Sequence, residues 1–268
     1  MKVGFLLALT CGAALTAGSS CRPVLQAPPP LIATTTAGQS TTELLEQARA
    51  SFARRRDPEA VRQAEEFFLA AARSDPECVE ALYGAIQAEA WLSEHEIDTA
   101  ARVALAKAAD DAGQWCIQKR PHSALCTYGL AIAMGLSARE HPTIALQSIK
   151  PIMDNLRAAA AVDDKIDHAG PHRVLALVLT RVPGWPVGPG DVEQAVVEAR
   201  RAVELDPDYS LNQLALAETL IANGEPQPGR AAADRAIELA RKAQQQGDPD
   251  AADWLRSAQK LLGSLIRF

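Results

Sequence analysis

Aromatic side chains are scarce in this chain of 268 residues, because Phe, Tyr and Trp together make up only 4% of it. Alanine, by contrast, supplies 52 of the residues. Alanine is the strongest helix former, whereas aromatic residues are among those that favour strands. The composition therefore argues against an all-β fold and predicts a helical one.

A surplus of basic residues is also lacking. The chain has 27 Lys and Arg against 33 Asp and Glu, which gives a net charge of −6. Nucleic-acid binding depends on basic side chains that neutralise phosphates, so we expect no nucleic-acid partner. The sequence also lacks a nucleophile elbow, a phosphate-binding loop, an HExxH motif and a CxxC motif. We therefore expect neither catalysis nor a cofactor.

The first twenty residues have the pattern of a secretory signal. Lys2 precedes an apolar stretch over 3–17, and small residues follow it. Cys21 comes directly after Ser19 and Ser20, and this end of the segment resembles the lipobox of bacterial lipoproteins. The resemblance implies that Cys21 is lipidated, although a plain cleaved signal is the alternative.

Residues 21–40 are interpreted as a flexible tether behind the lipid anchor. They contain three consecutive prolines and three consecutive threonines, a composition typical of linkers. By resemblance to lipoprotein sorting patterns, Arg22 after the cysteine implies the outer membrane and a periplasmic location. A merely disordered terminus is the alternative interpretation.

Residues 41–268 read as amphipathic helices separated by short turns, most of which contain proline. Proline fits the first turn of a helix and ends the helix before it. Five helix pairs and a final helix are predicted. They span 41–55, 58–74, 78–93, 97–119, 122–138, 142–161, 170–182, 191–205, 208–223, 227–246 and 249–266.

Small residues recur at fixed distances before the turn prolines. Counting back from Pro76 and from Pro207 gives the same pattern, which is that of the second helix in a tetratricopeptide repeat (TPR). Small side chains at these positions allow neighbouring helix axes to approach closely. The fold is therefore predicted to be an all-α, TPR-like solenoid of helical hairpins, with an irregular helical bundle as the alternative. The residues are Ala64, Phe68 and Ala71, then Ala195, Ala199 and Ala202.

The first helix of each TPR pair lines a concave groove, so the repeat phase predicts which side chains face it. The predicted set is largely apolar and suits an apolar ligand or a partner helix. The alternative is that these side chains simply pack against neighbouring helices. The predicted residues are Tyr83, Gln87, Trp91, Leu125, Tyr128, Ile132 and Leu214.

An insertion at 183–190 interrupts the fourth helix pair. It contains three prolines, three glycines and Trp185, where a regular repeat has a tight turn. Loops of this kind often carry function. Trp185 is predicted either to contact a partner or plug the end of the groove, or else to be a buried local anchor.

Cys116 and Cys126 flank the turn at Pro121 and are candidates for a disulfide, which an oxidising compartment permits. The alternative is that both are small apolar core residues. The His and Asp residues over 163–172 are of metal-ligand type. However, Gly170 and Pro171 break the helix that would align them, so no metal site is predicted.

The stretch from Ala124 to Pro207 resembles the TatT family, the lipoprotein T-component of some TRAP transporters. Three segments carry the resemblance: LCTYGLAIAMGLSAR (125–139), AGPHRVLALVLTRVPGWPVGPGD (169–191) and AVVEARRAVELDP (195–207). The resemblance implies a periplasmic TPR-like lipoprotein with a ligand cavity, which forms a homo-oligomer, a trimer, and associates with a periplasmic solute-binding protein. A generic TPR scaffold that binds other envelope proteins is the alternative.

Overall fold

The computed structural model describes residues 38–265, except for the side chains of Pro142, Ile144 and Leu265. The predicted signal, Cys21 and most of the predicted tether lie outside the described residues. The described part forms eleven helices: α1 (Thr41–Phe52), α2 (Pro58–Ser74), α3 (Val79–His95), α4 (Thr99–Lys119), α5 (Ala124–Glu140), α6 (Pro142–Val162), α7 (Ile166–Arg181), α8 (Val192–Leu205), α9 (Ser210–Ala222), α10 (Pro226–Gln245) and α11 (Ala251–Leu265).

Short polar side chains start several of these helices. Ser40 and Glu43 form a reciprocal capping box at α1, and Asp57 caps α2 directly before Pro58. Asp98 and Asp191 cap α4 and α8 in the same way. These caps satisfy backbone N–H groups that have no partner within the helix, which explains why the sequence fixes these boundaries closely.

Consecutive helices pack as hairpins, and the hairpins stack side by side. Each odd-numbered helix also contacts the next odd-numbered helix, from α1 against α3 through to α9 against α11. This layering makes the odd-numbered helices one wall of a solenoid. The predicted all-α architecture of five helix pairs and a final helix is confirmed. Within 38–265, no helix is both long and apolar enough to cross a membrane.

The predicted small residues lie at the tightest helix contacts. Ala64, Ala71, Ala195, Ala199 and Ala202 are all completely buried. An alanine presents only a methyl group, so two helix axes can approach without leaving a void. Much of the alanine content of the chain is therefore explained by packing between repeats rather than by helix propensity alone.

A disulfide joins the end of α4 to the start of α5. The sulfur atoms of Cys116 and Cys126 lie 2.06 Å apart, and both residues are fully buried. Cys78, at the start of α3, is a free thiol and is half-buried. Of the two interpretations that the sequence left open, the structure has the bonded pair.

The two ends of the solenoid touch each other. Arg55, in the turn after α1, donates from Nε to Asp250 Oδ2 at 2.8 Å. Arg56 donates to the backbone oxygens of Asp248 at 3.0 Å and Pro249 at 3.4 Å. Because the turn between α10 and α11 supplies all three acceptors, the helical array closes on itself around its concave side.

Candidate ligand groove

Among the cavities on the concave side, two adjoin at Trp91, and we call them the inner basin and the outer basin. The inner basin has a volume of about 390 Å³ and the outer basin about 710 Å³. The two basins share wall residues from three different parts of the chain, and together they form the groove. The shared residues are Trp91, Glu94, Tyr209, Asp250 and Trp254.

One face of α3 supplies the first wall. Tyr83, Gln87 and Trp91 are spaced four residues apart, which places them in a row along the helix. The Trp91 indole N–H donates to Asp250 Oδ1 at 3.3 Å, and the ring stacks on His95 with centroids 3.8 Å apart. His95 in turn lies 3.3 Å from Asp253. The α3 wall is therefore tied to α11.

Tyr209, which directly precedes α9, and Trp254 of α11 form the opposite wall. The ring of Tyr209 stacks on His168 with centroids 4.1 Å apart and meets Trp254 edge-on at 5.3 Å. The guanidinium of Arg173 lies 5.1 Å from the centre of the same tyrosine ring. These contacts hold Tyr209 on several sides, so this wall is rigid.

A left-handed turn of three consecutive residues separates the walls at the start of α7. Asp167, His168 and Ala169 have φ angles of 49°, 55° and 62°. Each such residue costs roughly 1–2 kcal/mol when it is not glycine. Conformations of this kind persist only where the surroundings fix them, and they occur often at ligand sites. The regular helix thus begins near Gly170, as the sequence predicted.

Arg173 fixes this left-handed turn. Its Nη1 donates to the backbone oxygens of Asp167 at 2.9 Å and His168 at 3.0 Å, and to Asn212 Oδ1 at 3.1 Å. The amide of Asn212 also donates to the His168 oxygen at 3.0 Å. Two buried side chains therefore satisfy the carbonyl groups that the turn leaves without helical partners.

The Asp167 carboxylate completes this network. Its Oδ2 accepts from the Tyr128 hydroxyl at 2.6 Å and from Arg173 Nη2 at 2.7 Å. Burial raises the pKa of Tyr128 well above its ordinary value, and the neighbouring Asp167 adds to this effect. Tyr128 therefore keeps its proton and acts as a donor. A Cβ on Gly170 would lie within 2.7 Å of Asp167 Oδ2, so glycine is required there.

The groove is more acidic than the sequence predicted. Four carboxylates line the inner basin, and Arg55 is the one Lys or Arg among its lining residues. Desolvation raises the pKa of Glu94, whereas His95 and Arg139 lower it. The predicted groove residues are largely apolar, and the turn at 248–250 and the start of α7 bring acids to them. The four carboxylates belong to Glu94, Asp167, Asp248 and Asp250.

Most of the predicted groove residues lie together. The inner basin is lined by Tyr83, Gln87, Trp91, Tyr128 and Ile132, and the outer basin by Leu214. Leu125 is not among the residues that line either basin. It lies in the first turn of α5, away from the groove.

The opposite wall was not foreseen from the sequence. Tyr209, Trp254 and Asp250 lie far from α3 along the chain, and no local pattern brings them to it. The sequence marks Asp167 and His168 as residues of metal-ligand type, but both are bonded to other protein groups. His168 lies 2.7 Å from Asp206, and Asp167 bonds Tyr128 and Arg173.

The insertion stands away from the groove. The Gly190 N–H donates to the Pro183 oxygen at 2.9 Å, and the Val187 N–H donates to the Gly184 oxygen at 3.1 Å. Trp185 is 90% exposed at the tip of this closed loop. The structure therefore excludes both a buried anchor and a plug of the groove, because the loop projects its aromatic ring into solvent.

Neither a protein-family model nor a curated protein matches this chain. Solved structures do match it. A thermophilic TPR protein from Thermus thermophilus is 20% identical, with a TM-score of 0.59, and the match covers 82% of this chain and 99% of that one. This chain has the fold of a TPR solenoid.

Two further TPR-type structures are more distant. YrrB, described as a TPR protein with an unusual peptide-binding site, is 14% identical over 75% of this chain and 86% of its own, with a TM-score of 0.43. MamA is 14% identical over 76% of this chain and 94% of its own, also with a TM-score of 0.43. These likenesses concern the fold, and the TatT resemblance stays a prediction.

Proposed function

We propose that this chain is a non-catalytic binding protein of the bacterial cell envelope, whose groove holds a small ligand. One observation carries the proposal. The solenoid closes through Arg55 and Asp250, so aromatic side chains of α3, of Tyr209 and of α11 face one another across a concave space. Concave sites with aromatic walls and a few polar groups are typical of ligand pockets.

The dimensions of the groove favour a small ligand over a partner helix. A helix with its side chains is about 10–12 Å wide. The inner basin holds about 390 Å³, within the range usual for small-molecule pockets. The contacts of Arg55 and Arg56 also join the two ends of the array, which restricts the path that a long segment would need.

The TatT resemblance supplies the finer form of the proposal. In that form, Cys21 anchors the chain to the outer membrane, copies of it assemble as a trimer, and a periplasmic solute-binding protein is its partner. The insertion supports a protein contact, because Trp185 and Val187 are 90% and 68% exposed on a loop closed by hydrogen bonds. Exposed aromatic residues often anchor protein interfaces.

A generic TPR scaffold is the second candidate. The fold itself and the exposed insertion favour it, since neither depends on a ligand. The two candidates differ in what the groove does. A scaffold would use the insertion and leave the groove empty, whereas a binding protein would fill it.

The partner is tested by calorimetric titration of the full mature lipoprotein, in neutral detergent, with a solute-binding protein encoded beside it. Trp185→Ser should abolish binding. Ile97→Ser is the matched control, because Ile97 is equally exposed but lies in a distant turn. It should leave binding of the solute-binding protein unchanged. If the wild-type protein does not bind, the transporter role is wrong.

The anchor and the groove have their own tests. Cys21→Ser should abolish labelling by radioactive palmitate, and undiminished labelling would contradict the anchor. Native mass spectrometry of the protein extracted from its own membranes should show an additional small-molecule mass. Gln87→Trp, which fills the inner basin, should remove that mass. A wild-type spectrum without it would favour the scaffold.

A further inference from the structure

We propose that the inner basin binds the ammonium group of a small organic amine, between the aromatic walls and the carboxylate of Glu94. This inference rests on the proposed function, because it names the class of ligand that the same groove would hold.

The aromatic content of the basin is the first observation. In a chain with only 4% aromatic residues, six of them line this one cavity. The faces of aromatic rings attract cations, and organic ammonium ions are commonly bound by several rings together. Two of these rings already have a protein cation, since Arg55 and Arg173 lie 5.1 Å from the centres of Phe52 and Tyr209, respectively, so the other four are the ones left for a ligand. The six residues are Phe52, Tyr83, Trp91, Tyr128, Tyr209 and Trp254.

The charge of the lining is the second observation. Two of its carboxylates already have cationic partners, since Asp250 bonds Arg55 and Asp167 bonds Arg173. Glu94 and Asp248 add two further negative charges without an ion pair among the described residues. The basin therefore has a net negative charge, which favours a cation and disfavours an anion.

Glu94 is the group best placed to meet that cation. It lines both basins beside Trp91, and the residue is exposed. In the outer basin, by contrast, Arg181 is already bonded to Glu218 at 2.7 Å and 2.8 Å.

Three probes of one shape test the charge preference. The full mature lipoprotein in neutral detergent is titrated calorimetrically with phenethylammonium, with neutral 2-phenylethanol and with anionic phenylacetate. We expect the ammonium to bind about tenfold more tightly than the alcohol, because a charged hydrogen bond is stronger than a neutral one. Phenylacetate should bind most weakly.

Glu94→Gln removes the charge and keeps the shape. It should weaken binding of the ammonium about tenfold and leave binding of the alcohol unchanged. Glu238→Gln is the matched control, because Glu238 is exposed on α10, away from the groove, and should change neither. If Glu94→Gln has no effect on the ammonium, the role of Glu94 is wrong.

The remaining outcomes separate this inference from the proposed function. Equal binding of the alcohol, or tighter binding of phenylacetate, would overturn the amine while keeping the groove as a ligand site. If none of the three probes binds, the amine proposal is wrong. Native mass spectrometry would then test separately whether the groove holds a ligand. Tighter binding of N-acetyl-lysine methylamide than of phenethylammonium would show that the basin suits a lysine side chain of a partner peptide better than a small amine.

Discussion

Arg173 and Glu89 are both buried ionisable side chains, but their surroundings differ. Arg173, 7% exposed, donates to two backbone oxygens, to Asn212 and to Asp167. Glu89, 1% exposed, has an Oε2 atom without any hydrogen-bond partner among the described residues. The first is a partnered charge that shapes the groove, and the second is an isolated acid.

The isolation of Glu89 has a consequence for its ionisation. Burial raises the pKa of this carboxyl well above its ordinary value, and the nearby carboxylates of Glu65 and Asp111 raise it further. Glu89 therefore stays neutral in the folded protein over a range of pH where it would ionise in the unfolded chain. Glu89 avoids an unpartnered buried charge by keeping its proton and staying neutral. Arg173 cannot become neutral, because a guanidinium does not lose its proton in a protein, and it therefore needs partners.

The largest effect is expected from removing the partnered charge. Arg173→Met should lower the free energy of unfolding by about 3–5 kcal/mol, because it removes the guanidinium donor from the left-handed turn and leaves the Asp167 carboxylate without its cationic partner. Denaturant titration measures the loss. Arg157→Met, on an exposed face of α6, should change stability by less than about 0.5 kcal/mol. Similar losses of stability in both variants would show that the hydrogen bonds of Arg173 do not stabilise the fold more than an exposed arginine does.

A smaller effect is expected from disturbing the same network without touching the charge. In Gly170→Ala the added methyl would press on Tyr128 and Asp167, which should cost about 1–3 kcal/mol. Gly135→Ala is the matched control, because a Cβ there meets nothing within 4 Å on α5. It should stabilise the protein by about 0.5–1 kcal/mol. Thermal and denaturant unfolding would distinguish the two signs.

Near pH 4 the smallest effect is expected from the isolated acid, and this effect should grow as the pH rises. The folded state retains a proton on Glu89 that the unfolded chain releases above about pH 4.3, so the stability of the wild-type protein falls as pH rises above that value. Glu89→Gln cannot release this proton. We expect it to match wild type near pH 4 and to exceed it at pH 8, by about 1.4 kcal/mol for each unit by which folding raises the pKa of Glu89.

The control for this comparison is Glu66→Gln, on an exposed position of α2. Its difference from wild type should not change with pH beyond a few tenths of a kcal/mol, as for other surface substitutions. A constant difference between wild type and Glu89→Gln from pH 4 to pH 8 would contradict the neutral state of Glu89.

The sequence predicted the parts of the molecule that follow a local rule. Alanines at fixed distances from Pro76 and Pro207 predicted the hairpins, because tight helix packing needs small side chains at a helical period. The same period placed Tyr83 and Trp91 on one face of α3. Both predictions depend on residues only one or two helical turns apart.

The remaining parts depend on contacts between distant residues. Trp254 reaches α3 only because small rotations between successive repeats accumulate until the ends of the array meet. The left-handed turn at Asp167 depends on donors from Arg173 and Asn212, and nothing in its own three residues requires it. The exposure of Trp185 likewise depends on the direction in which its loop projects from the repeat. Such features depend on the assembled array and not on any short stretch of sequence.

The contact between Arg55 and Asp250 also bears on how the protein unfolds. In an open repeat array each unit touches only its neighbours, so the terminal repeats fray first and unfolding spreads inward. Here the first and last hairpins hold each other, and neither can loosen without breaking the bond to the other. The array should therefore lose its ends together, in a single cooperative step in which the groove disappears at the same moment as the termini.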